Sequence, residues 1–129
     1  MKIKNNKRTV MWSNLCFLIP LIIPLNRQLY LYSLVITAAV VASFVYHVRP
    51  SPLRHLIDRI TALTLILSNL ILFAITSFYS IYFLVVIILV ITAFYFFKVA
   101  THRYYIYHAY WHFLSALITT TSLIAYLTY

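Results

Sequence analysis

Five polar residues stand out in a chain that is otherwise almost wholly apolar: Ser43, His47, Asp58, His108 and His112. Ser43 and His47 are four residues apart, and so are His108 and His112. On a helix that spacing leaves about 40° between side chains, one turn above the other. Two imidazoles so placed can hold one metal ion, and His47 from another helix could supply a third nitrogen. Three His leave one tetrahedral position for water, the open pattern of catalytic zinc. Asp58 is the only acid of the chain. An acid beside a membrane span is costly unless it is paired, and such residues tend to be functional. It could orient a metal-bound water or take its proton.

Each residue also has a plainer reading. His beside Tyr and Trp is common at membrane interfaces, Asp58 could pair with Arg54 or Arg59, and the Ser43 hydroxyl could bond the backbone four residues back. His55, three residues before Asp58, is an alternative ligand, but it and His102 read more simply as solvated loop histidines. Asn69 lies eleven residues after Asp58, on nearly the same helix face. It could hydrogen-bond between helices and is assigned no chemistry.

What must position these residues follows from composition. The 129 residues are 64% hydrophobic and 9% charged, with no Gly. A soluble domain carries roughly 25% charged residues, so a soluble globule is excluded, and disorder needs far lower hydropathy. The net charge of +9 does not call for a nucleic-acid partner. Ten basic residues against one acid is what a membrane protein shows when Lys and Arg are kept in loops on one side. A lone Cys16 excludes an intramolecular disulfide.

The expected fold is all-α, a polytopic membrane helix bundle forming a single domain over residues 1–129. A span needs about 20 apolar residues. The first apolar stretch, about 9–25, follows a basic head and resembles a signal peptide. No small-x-small cleavage site comes after it, so an uncleaved span is expected. The second covers about 29–47 and ends where Pro50 and Pro52 break the helix, which is expected to resume near Leu53–Leu56. From Ile60 to Phe97 there are 38 residues without a charge, about 57 Å of helix against a bilayer core of about 30 Å. That run must fold back, with the turn expected over Thr76–Ser80, giving spans of about 59–75 and 81–97. The fifth covers about 105–126. With the N-terminus cytoplasmic and the C-terminus not, nine basic residues fall inside and only Arg27 outside, which fits the positive-inside rule. This crossing order brings His47, Asp58, His108 and His112 to one depth near the cytoplasmic face.

The order Ser43-x-x-x-His47, then Asp58, then His108-x-x-x-His112 resembles the membrane hydrolase superfamily of alkaline ceramidases, progestin/adiponectin receptors and haemolysin III proteins. His108-Ala109-Tyr110-Trp111-His112 is close to the His-x-x-Trp-His of those proteins, and the spacing from His47 to Asp58 fits the ceramidase branch. The resemblance implies zinc on His47, His108 and His112, with Ser43 and Asp58 near the metal-bound water. It also implies hydrolysis of an amide or ester bond in a membrane lipid, a sphingolipid or phospholipid. Family members usually have seven spans where this chain has room for five, and the missing helices wall the family's substrate cavity. A homo-oligomer could restore that wall. Two other classes compete: a non-catalytic receptor or scaffold with a structural zinc, and a haem-binding membrane anchor.

Overall fold

The computed structural model of the chain describes residues 2–76, 81–99 and 104–129. Among them every regular element is helical. The order is α1 (Lys2–Ser13), a 3-10 turn (Asn14–Phe17), α2 (Leu18–Asn26), α3 (Tyr30–Val48), α4 (Pro52–Ile75), α5 (Ile81–Val99) and α6 (Tyr104–Thr128). α1, the 3-10 turn and α2 follow one another directly, so five rods stand where five spans are expected. Arg8–Asn26, Tyr30–Val48 and Pro52–Ile75 are long and apolar enough to cross a membrane. Ile81–Phe96 is apolar but shorter. The 25 residues of α6 are more polar, because they carry the two histidines and a run of hydroxyls. Of the turn expected over Thr76–Ser80, Thr76 is a turn residue; the rest of it, and His102 with Arg103, lie outside the described residues.

Local sequence accounts for the breaks. Pro20 has no N–H for the carbonyl four residues back and is tolerated in the first turn of α2, just past the 3-10 turn. Pro24 costs α2 one further bond, and both prolines are buried. α2 closes through Gln28, whose φ of 61° is left-handed, and the Leu29 N–H donates to the Pro24 carbonyl at 2.8 Å. A chain without Gly must place a residue with a Cβ there, at a cost of about 1–2 kcal/mol. α4 starts earlier than its expected span. Ser51 caps it, its hydroxyl accepting the Arg54 N–H at 3.2 Å, and Pro52 takes the first-turn position where its missing N–H does no harm.

Packing is inverted relative to a soluble protein. Buried positions include Ser43, His47, Asn69, His112, Thr119 and Ser122, while Leu31, Leu63, Leu67 and Ile91 are exposed. Lipid as solvent calls for this, since apolar side chains gain nothing by hiding from it and polar ones must find partners inside. α6 is central, packed on α1, α2, α4 and α5, while α3 packs on α4. Asn69 ties three helices together. The Tyr32 hydroxyl of α3 donates to its Oδ1, and its Nδ2 donates to Thr119 Oγ1 of α6 at 3.3 Å. This is the interhelical role expected of Asn69.

Candidate metal centre

Helical spacing on three helices builds the site. On α3 the buried stripe Tyr32, Ile36, Ala39, Ser43, His47 advances by three or four residues and delivers Ser43 and His47 at the helix's C-terminal end. α4 starts at that same end and carries Asp58 in its second turn. α6 also starts there, with His108 and His112 in its first turns and the stripe continuing through Ser115, Thr119 and Ser122.

These stripes bring the three expected ligands together. His47, His108 and His112 each offer a ring nitrogen, and all three nitrogens lie within 4.8 Å of one another. His47 Nε2 and His108 Nε2 are 3.1 Å apart. Tetrahedral coordination with metal–nitrogen bonds of about 2.0–2.1 Å needs neighbouring nitrogens about 3.3 Å apart. The closest pair already meets that distance, and the widest must contract by roughly 1.5 Å, within reach of small side-chain rotations. His47 and His112 are buried. A neutral imidazole carries a hydrogen on only one of its two nitrogens, so each of the three converging rings can turn a bare nitrogen toward a shared cation. The donor set therefore fits a metal ion.

Around the three rings the structure places other polar groups. Ser43 Oγ sits 3.4 Å from His112 Nε2 and is a polar neighbour of the Asp58 carboxylate. The backbone bond four residues back that would make Ser43 ordinary is the pattern of Thr37, Thr64 and Thr120 instead. Arg54, the expected partner in a plain ion pair, turns its guanidinium to the Arg49 carbonyl at 2.6 Å. Asp58 has His55 and Arg59 as charged neighbours, and His55 itself lies against Tyr46, with ring centroids 5.0 Å apart. Asp58 stands apart from the histidine cluster as a neighbour to it. Tyr104 stacks on His108, with centroids 5.1 Å apart and planes 28° from parallel.

Two residues absent from the expected set join the site from the first rod. Ser13 Oγ lies 2.8 Å from His112 Nδ1. Asn14 is buried, and its Nδ2 donates to the Val10 carbonyl at 3.4 Å. Its Oδ1 has no hydrogen-bond partner among the described residues. The one available signal was the adjacent polar pair inside an otherwise apolar first stretch.

A cavity of about 220 Å³ opens on the centre. Ser43, Asp58, His108 and His112 line one end. From there it runs between α4 and α5 over α6, with Leu65, Asn69 and Ile118 along it and Phe73 and Val86 at the far end. Asp58 to Phe73 spans about 22 Å of helix. α4 and α5 meet at that far end through Phe73 and Phe83, 5.6 Å apart. The result is a mostly apolar groove, with the paired Asn69 and Thr119 partway along it and the titratable groups at the histidine end.

No protein-family model matches this chain, and no match was found among curated proteins or among solved structures.

Proposed function

We propose that this chain is a zinc-dependent intramembrane hydrolase acting on the amide or ester bond of a lipid. The observation that carries the reading is the shared cavity, whose wall holds two of the three histidines, the chain's only acidic side chain and the Ser43 hydroxyl at one end, and is otherwise mostly apolar. A structural zinc site is closed by its ligands, whereas a catalytic one keeps a position open to a substrate. Here the open side of the histidine cluster faces the cavity. The order of Ser43, His47, Asp58, His108 and His112 resembles that of the alkaline-ceramidase superfamily and gives the same reading.

The roles follow from chemistry and placement. His47, His108 and His112 would hold the zinc ion, which would supply Lewis acidity and lower the pKa of water toward about 7. Asp58 accepts a proton from the attacking water and returns it to the leaving group. The Ser43 hydroxyl donates either to Asp58 or to an oxygen on which charge develops. The groove takes an acyl tail along α4, α5 and α6, which leaves the attacking water to enter from the histidine end. Its walls come from helices of one chain, so a second copy is not needed to line it. A haem fits poorly. Axial nitrogens stand about 4 Å apart across an iron, twice a metal–nitrogen bond, whereas His47 and His108 are at 3.1 Å with no room for a macrocycle between them.

The basic residues favour a cytoplasmic N-terminus, five crossings, and a centre near the cytoplasmic face. A reporter fused after Tyr129 then reads as non-cytoplasmic, and a cytoplasmic reading would remove one crossing. The function is tested by incubating purified zinc-loaded protein with ceramides, phospholipids and lysolipids, with and without chelator. Chelator-sensitive release of fatty acid from at least one class is expected. Stoichiometric zinc with no release from any would leave only the structural-zinc reading.

A further inference from the structure

Ser13 is separated from its partner His112 by 99 residues and comes from a different helix than any of the three histidines. Its single hydroxyl hydrogen is already placed, because Ser13 Oγ lies 2.7 Å from the Val10 carbonyl oxygen. A carbonyl can only accept. Toward His112 the Ser13 oxygen therefore presents a lone pair, and at 2.8 Å the ring nitrogen facing it must be the donor. The proton of a neutral His112 then sits on Nδ1. Nε2 is left bare, on the side of the ring that faces Ser43 and the cluster with His47 and His108.

We propose that Ser13 is a positioning residue for the metal centre, holding His112 in the tautomer and orientation that turn an unprotonated Nε2 toward the cation. The inference rests on the metal reading of the three histidines. Residues behind a metal-bound His are usually a carboxylate, a backbone carbonyl or water. The sole acid of this chain lies on the cavity side, so a serine takes that place beside the Val10 carbonyl, which also neighbours His112. The serine is made into an acceptor by its own bond to Val10. Burial strengthens the effect, since His112 is only 6% exposed and water cannot easily replace the lost partner. The first rod is on this account part of the centre. Its 3-10 turn begins directly after Ser13 and sets where that hydroxyl points.

The test uses full-length protein in micelles with zinc alone as probe. Imidazole ¹⁵N shifts of the metal-free protein report the His112 tautomer directly, and chelator competition gives zinc affinity. The wild type should show the Nδ1–H form. Ser13→Ala should lose that preference and weaken zinc binding roughly 10- to 100-fold, while Ser13→Thr, which keeps the hydroxyl, restores both. Helix content by circular dichroism guards against a misfolded variant, and the threonine variant keeps the comparison valid if Ser13→Ala fails to fold. An unchanged tautomer in Ser13→Ala, or wild-type zinc affinity, overturns the assignment. Absence of zinc binding by the wild type overturns the metal reading instead, and the tautomer still decides what Ser13 does to His112.

Discussion

Replacing Asn69 by Leu should loosen the packing of α3, α4 and α6, the helices that carry the candidate site. Asn69 is 7% exposed, Tyr32 9% and Thr119 1%, so none can turn to solvent. The substitution removes two interhelical hydrogen bonds. In membranes these average about 0.6 kcal/mol each, up to about 1.7, so the pair contributes about 1–3 kcal/mol. The loss is uneven between the partners. Thr119 keeps its own donated bond to the Ser115 carbonyl at 2.9 Å, but the Tyr32 hydroxyl is left buried without an acceptor, a further cost of about 1–3 kcal/mol. The expected total is about 2–6 kcal/mol. Adding Tyr32→Phe removes the stranded hydroxyl and should recover about 1–3 kcal/mol, so the double variant is more stable than Asn69→Leu alone. Reversible unfolding in mixed micelles, followed by circular dichroism and by Trp12 and Trp111 fluorescence, measures all four corners of the cycle. A single variant within about 0.5 kcal/mol of wild type, the ordinary range for surface changes, would refute the reasoning. So would a double variant no more stable than the single.

Three other substitutions probe separate parts of the account. Asp58→Asn should keep zinc but lower turnover by roughly 10²–10⁴-fold, the range of general acid–base catalysis, as measured by fatty-acid release; retained turnover would return Asp58 to a structural role. Asn14→Leu removes a buried oxygen that has no partner and should raise stability by about 1–3 kcal/mol in the same unfolding assay; a loss of stability would mean that Oδ1 is satisfied in the folded protein. Gln28→Gly relieves a left-handed residue and should stabilise by about 1 kcal/mol, net of the greater unfolded-state freedom of Gly; a drop of that size would show the turn to be unstrained.

Much of the fold was legible because lipid leaves the chain few options. Spans expected at 29–47, 81–97 and 105–126 correspond to α3 at Tyr30–Val48, α5 at Ile81–Val99 and α6 at Tyr104–Thr128. Those limits follow from bilayer thickness and from where charge begins. The third span was expected from 59, and α4 begins at Pro52. The helix itself was expected to resume near Leu53, after the two prolines, and the Ser51 cap and Pro52 set that start in polar residues that need no lipid. The first stretch was expected as a plain span and carries a 3-10 turn, whose position depends on how Pro20 and Pro24 pack. The convergence of His47, His108 and His112 was legible because an even number of crossings separates their helix ends, so direction alone brings them to one depth. Ser13 was not. A serine beside a basic head has no helical spacing to any histidine, and only the docking of the first rod on α6 brings it to His112.

The most direct test is the metal content of the purified protein beside that of a His108→Ala/His112→Ala variant of equal helix content. One zinc per chain in the wild type and none in the variant is the expected result. Zinc retained by the variant, or a wild type that takes up no zinc when it is offered, would contradict the claim that these imidazoles form a single cation site.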